Sequence, residues 1–171
     1  MSLPCRRLGP CRRRRRGLAL IEALVTLVVL SLAALGYAAL QLRGLGTQAG
    51  ATWMSKATVL AADAADRVRA NPAGLAAGAY DALLVPPAVS PGCTLASPCS
   101  GGQVAQRDFF RWRSDLAAML PQGQGVICRD ATPDDGSDVA SACDGSGTRL
   151  AIKVFWRERG VASRLVMVVQ P

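Results

Sequence analysis

The groups able to do chemistry fall in three places. The first is Glu22, which stands four residues after Leu18 in a run that is otherwise apolar. If the chain is cut between Gly17 and Leu18, the new amine of Leu18 is a cation over much of the neutral range. A helix brings positions i and i+4 together. The Glu22 carboxylate then meets its own amine or that of a neighbouring chain, in the first helical turn, where the dipole favours an anion. The second place is a set of four cysteines, Cys93, Cys99, Cys128 and Cys143. The third is residues 130–147, which carry Asp130, Asp134, Asp135, Asp138 and Asp144.

Four cysteines allow three pairings. Proximity favours Cys93–Cys99 and Cys128–Cys143, and the second would close a loop of about 16 residues, worth roughly 3 kcal/mol in the chain-entropy model. Zinc is the alternative, but the spacings match no common finger. The aspartates lie among glycines, as calcium ligands do, yet their spacing does not fit an EF-hand. The reading for 130–147 is therefore a solvated loop, free to touch a partner, and no metal is expected. The chain has no histidine, which removes the usual general base and the commonest metal ligand. With no phosphate loop and no convincing acid pair, the residues do not describe an enzyme, and no cofactor is expected.

These groups need elements to hold them. Seven arginines precede Leu18: Arg6, Arg7 and Arg12 to Arg16. Removing those seven from the formal net charge of +8 leaves +1. The basicity belongs to a leader and does not describe a nucleic-acid surface. From residue 18 to residue 42 the only charge is Glu22, and about 25 residues suffice for a helix to cross a hydrocarbon core. The flanking arginines would keep the N-terminus cytoplasmic and send the rest to the periplasm, where cysteines oxidise. Cys5 and Cys11 would stay behind. An ordinary signal anchor, or a cleaved secretory signal cut near Gly36–Ala39, would explain the apolar run. Neither explains a glutamate, which costs energy inside a bilayer.

Gly17-Leu18-Ala19-Leu20-Ile21-Glu22, after a basic leader and before an apolar helix, resembles the class III signal of type IV prepilins and pseudopilins. The resemblance implies a membrane peptidase that cuts after Gly17 and methylates Leu18, and a Glu22 that guides each subunit into a filament. Two positions depart from the family pattern: Leu18 stands where Phe is usual, and Ala19 where Thr is usual.

Residues 57–70 are rich in helix formers, with Asp63 and Arg67 at i, i+4 in the favourable order. Val59, Leu60, Ala64 and Val68 are the expected inward stripe, and Asn71-Pro72 is the natural stop. A helix over residues 18–71 would span roughly 80 Å, so its outer half must pack on a head. Gly44, Gly46 and Gly50 weaken the join by about 1 kcal/mol each. They read either as a segment that bends or melts in a filament or as a small-residue seam for helix contact. Ala65-Asp66-Arg67-Val68-Arg69-Ala70-Asn71 resembles the end of the first helix in the minor pilin family PilV. Without that resemblance, Asp66, Arg67 and Arg69 read as a solvated helix face.

Beyond residue 72 the expectations are mostly loop over 73–102 and a short amphipathic helix over 108–120. That helix would bury Phe109, Trp112, Leu116 and either Met119 or Leu120. Strands are expected at 126–129, 150–157 and 164–170, with Arg159-Gly160 in the last hairpin. In the second of these, Leu150, Ile152, Val154 and Trp156 share one face, and Lys153 and Arg157 the other. The arrangement is α+β and pilin-like: a long N-terminal helix with a small antiparallel sheet. The expected divisions are a leader over 1–17, a membrane and assembly helix over 18–42, the outer half of the helix over 43–72 and a periplasmic head over 73–171. The PilV resemblance implies a minor pilin that helps prime pilus assembly. It would work with the prepilin peptidase, other minor pilins, the major pilin and the inner membrane, and with no small-molecule substrate or direct nucleic-acid contact. A type II secretion pseudopilin, or an anchored periplasmic domain that never polymerises, are the alternatives.

Overall fold

A computed structural model describes residues 16–170, with side chains from residue 19 onward. Contacts divide the chain into two units, residues 1–47 and residues 48–171. The order of elements is α1 (Arg16–Ala70), α2 (Pro72–Ala76), β1 (Ala82–Leu83), α3 (Gly101–Met119), β2 (Gln124–Arg129), β3 (Leu150–Glu158) and β4 (Val161–Val169). The fold is α+β and pilin-like, a long N-terminal helix followed by a four-stranded antiparallel sheet.

In the first unit α1 turns its apolar side chains outward. Leu20, Leu24, Val28, Leu32 and Leu35 are all exposed. The hydroxyl side chains of the apolar run bond back to the helix itself. Thr26 Oγ1 donates to the Ala23 carbonyl at 2.9 Å, and Ser31 Oγ to the Leu27 carbonyl at 2.6 Å. That is the solution hydrocarbon demands, since lipid offers no partners. Helix continues through Gly44, Gly46 and Gly50.

In the second unit the closing turns of α1 bury Ala57, Leu60, Ala61, Ala64, Ala65 and Val68. Spacings of three and four residues make this a continuous stripe. Val59 does not belong to it and is 64% exposed. One residue is 100° of helix rotation, so the stripe that holds Leu60 turns Val59 outward. The stripe is mostly alanine and leaves room for larger partners. Phe109, Trp112 and Leu116 of α3 and Leu150, Ile152, Val154 and Trp156 of β3 fill that room in one core. The Trp112 indole N–H donates to the Leu60 carbonyl at 2.8 Å, tying α3 to α1. Leu120 is buried and Met119 is 43% exposed.

Residues 73–102 are mostly loop, as expected, and hold in addition most of the short α2, the two-residue β1 and the first residues of α3. α3 begins seven residues before the expected position 108. Ser100 and Gln103 form a capping box, each side chain hydrogen-bonding the other's backbone N–H, and this offsets the poor propensity of Gly101 and Gly102.

The sheet order is β1-β2-β3-β4, with every pair antiparallel. The β3–β4 hairpin turns through Arg159 and Gly160, whose φ angles of 50° and 84° are both positive, the pattern of a two-residue turn that matches strand twist. β3 is covered on both faces. On its outer face, which carries Lys153, Phe155 joins Val126 and Cys128 of β2 in a second apolar cluster, and Lys153 is 0% exposed. The cover is the loop between β2 and β3.

Candidate functional site

Gly17 and Leu18 lie in the first turns of α1, and Glu22 follows on the same helix with its side chain exposed. Leu24, Val25, Val28 and Val29 form an exposed apolar patch nearby. Over residues 19–70 α1 is long and apolar enough, by length and composition, to cross a membrane. An apolar surface of this extent needs lipid or protein around it. Cys5, Cys11, Arg6, Arg7 and Arg12 to Arg15 lie outside the described residues.

The end of α1 is a built junction. Asn71 caps α2 by accepting from the Gly74 N–H at 3.0 Å, and its amide donates to the Gly101 carbonyl at 2.7 Å and to the Tyr80 hydroxyl at 3.0 Å. One buried side chain therefore joins α1, α2, the start of α3 and the chain before β1. Gly74 and Gly101 pack backbone to backbone: a Cβ on Gly74 would lie 2.7 Å from the Gly101 carbonyl oxygen. Burial pushes the Tyr80 phenol up, against the opposing pull of its bond with Asn71. Arg67 pairs with Asp63 at 2.7 Å and reaches Asp108 of α3 at 3.9 Å, so it is more than part of a solvated face. Asp66 and Arg69 do form an exposed pair, at 3.0 Å. Exposed pairs of this kind are worth about 0–1 kcal/mol.

The acidic loop is largely exposed, as expected, but it is also organised. Disulfides join Cys93 to Cys99 and Cys128 to Cys143, with Cα separations of 5.2 and 6.1 Å. The second anchors the loop onto β2. The Lys153 ammonium rises from β3 into the loop and donates to Asp135 Oδ1 at 2.6 Å and to the Ser141 carbonyl at 2.9 Å. Asp130 Oδ2 lies 2.6 Å from the same nitrogen as an ion contact without hydrogen-bond alignment, and both side chains are fully buried. Arg157 holds Asp138 at 2.5 Å, and Arg164 of β4 holds Asp134 at 3.1 Å. Asp144 accepts from the N–H groups of Ser146 and Ala131 at 2.7 and 3.2 Å.

Every aspartate of the loop is therefore engaged within the chain. The hydrogen bond from Lys153 holds the Asp135 carboxyl below its usual range, that from Arg157 lowers Asp138, and that from the Ser146 backbone lowers Asp144. The ligand atoms of Cys128, Asp130 and Cys143 fall within 4.8 Å of one another. The two sulfurs are bonded to each other, however, and Asp130 is on Lys153, so the group does not offer a cation an open set of donors. The signal that would have found this loop is charge complementarity. Residues 130–147 carry only acids, and Lys153, Arg157 and Arg164 project from the outer face of one hairpin.

Residues 12–38 match the prokaryotic N-terminal methylation motif, and residues 39–110 match the family described as type IV pilin Tt1218. No curated protein and no solved structure matches the chain. The two matched segments abut. The first contains Gly17, Leu18 and Glu22, and the second contains the Asn71 junction and half of α3. The chain therefore carries a prepilin N-terminal methylation motif, and over residues 39–110 it is similar to the type IV pilin Tt1218 family.

Proposed function

We propose that this protein is a minor pilin of the PilV kind, which joins other minor pilins to prime assembly of a type IV pilus. The observation that carries the reading is the segment Ala65–Asn71. Its resemblance to PilV falls on residues that build the junction, with Arg67 reaching α3 and Asn71 tying α1 to α2 and to Gly101. Such a junction gives a fixed surface at the helix end for contact with neighbouring subunits.

In this reading residues 1–17 are a leader that the prepilin peptidase removes after Gly17, and Leu18 receives the methyl group. Residues 18–42 hold the subunit in the inner membrane with the N-terminus cytoplasmic and the head, residues 73–171, periplasmic. Residues 43–72 link the two. Glu22 supplies the carboxylate that meets the terminal amine of a neighbouring subunit as the filament grows. After assembly the protein lies in the pilus at the cell surface, where twitching motility is one process the filament could serve. The role is structural, not catalytic.

The test is N-terminal peptide mapping of protein from cells with and without the prepilin peptidase. A peptide that begins at methylated Leu18 only when the peptidase is present supports the reading, and an uncut chain or a cut near Ala38 overturns it. Glu22→Leu should then leave the head folded and block recovery of the protein in sheared pili. Assignment to a minor pilin, as against a secretion pseudopilin, requires that deletion of the gene reduce pilus number and leave type II secretion intact.

A further inference from the structure

We propose that Lys153 and Asp130 condense into an intramolecular amide, a covalent crosslink between β3 and the residue that follows β2. Four observations support it. The nucleophile and the carboxyl are in contact, with Nζ 2.6 Å from Oδ2. Both side chains are 0% exposed, beside the apolar cluster of Val126, Cys128 and Phe155. A second carboxylate, Asp135, touches the same nitrogen at 2.6 Å. Asp130 Oδ2 has no aligned hydrogen-bond donor, so its contact with Nζ is not that of an optimised ion pair.

A buried ion pair seldom recovers the cost of taking both charges out of water. Condensation removes both charges at once. Asp135 takes a proton from the ammonium and passes it to Asp130. The lone pair of the amine attacks Cγ of Asp130 and forms the C–N bond. One carboxyl oxygen leaves as water, carrying the second proton lost by the nitrogen. Ammonium plus carboxylate gives amide plus water, so the step balances with no oxidant, activator or co-reactant. Burial favours it by excluding the water that would drive the reverse reaction, and fixed contact supplies the effective concentration that an intramolecular reaction enjoys. Asp135, half-exposed at the mouth, is the catalytic carboxylate.

The crosslink is independent of the pilin reading. It would join the loop to β3 a short distance from the Cys128–Cys143 disulfide, so the outer face of the head would carry two covalent staples.

The experiment is tryptic mapping of the full-length chain, purified in detergent and reduced before digestion. Trypsin does not cut after an acylated lysine. The expected product is one branched peptide, residues 130–149 joined to residues 150–157, lighter than the sum of its parts by one water. Separate peptides ending at Lys153 and beginning at Val154 would overturn the proposal. So would a water loss confined to residues 130–149, because Asp135-Gly136 and Asp144-Gly145 can each lose water as a succinimide. Lys153→Arg should abolish the branched species. Asp135→Ala leaves both reacting groups in place, and the unbranched peptides should then dominate. A fully crosslinked Asp135→Ala chain would remove Asp135 from the mechanism.

Discussion

Replacing Asn71 with alanine tests whether the junction at the end of α1 holds the head together. The substitution removes the cap of α2, typically worth about 1 kcal/mol. It also strips the donor from the Gly101 carbonyl, and leaving a buried acceptor unpaired costs about 1–3 kcal/mol. Asn71 is 8% exposed, so water is poorly placed to replace the lost bonds. The Tyr80 hydroxyl can rotate toward a new partner, and we assign it nothing. The expected loss is about 3 kcal/mol, a shift of roughly 1–2 M in a urea midpoint at ordinary slopes.

The assay is equilibrium urea unfolding in detergent, followed by tryptophan fluorescence. All three tryptophans, Trp53, Trp112 and Trp156, lie in the second unit, so the signal reports that unit alone. Asn71→Asp separates the two contributions. It keeps an acceptor for the Gly74 N–H and removes the donor to Gly101, so it should cost the second part without the first. A midpoint for Asn71→Ala within about 0.3 M of the parent would refute the reasoning, because at typical slopes it corresponds to under 1 kcal/mol.

Three further outcomes follow from the packing and the charges. Gly125→Ala places a methyl group 2.7 Å from Leu116 Cδ1 and against the Trp112 ring, and overpacking of this kind should destabilise the head by about 1–3 kcal/mol in the same urea assay. Replacing both Cys128 and Cys143 with serine should cost about 3 kcal/mol, and replacing Cys93 and Cys99 about 2 kcal/mol, because the Cys93–Cys99 loop is shorter. Thermal melts of the two double variants would show whether that order holds. Asp138 and Asp144 have folded pKa values below the usual range, so the stability they contribute is present above about pH 4 and is lost as pH falls through the depressed folded values. NMR titration of loop amides should therefore show residues 130–147 steady from neutral pH down to about 4 and changing below it. A loop that loosens between pH 5 and 7 would contradict the assignment of these carboxylates to Arg157 and backbone N–H groups.

Local patterns carried much of this fold. The apolar run with a single acid, the alanine-rich helix ending at Asn71-Pro72 and the alternation along residues 150–157 each depend on neighbours in sequence, and each element stands where its pattern put it. The start of α3 is hard to see in the sequence because Gly101 and Gly102 read as breakers, and the capping pair Ser100 and Gln103 overrides them only once the turn has formed. The outer face of β3 was missed for a different reason. Alternation implies that one face is wet, and it holds no information about a loop that folds back over that face. Lys153 reads as a surface cation until the aspartates 18 and 23 residues before it are placed above it. The Asn71 junction lies between these cases. The helix stop was legible, but the bond to Gly101, 30 residues on, depends on tertiary packing.

Neutralisation of the acidic loop also bears on how partners would find the head. Residues 18–171 carry a net charge of only +1, and the densest run of acids is matched inside the molecule by Lys153, Arg157 and Arg164. A surface so balanced projects little field beyond a Debye length. It gives approaching subunits little long-range electrostatic guidance toward the head, so encounter rates should sit in the ordinary range and change little with ionic strength. Selectivity among similar subunits would then be decided after contact, by shape and short-range fit, while confinement in a shared membrane supplies the proximity that charge does not.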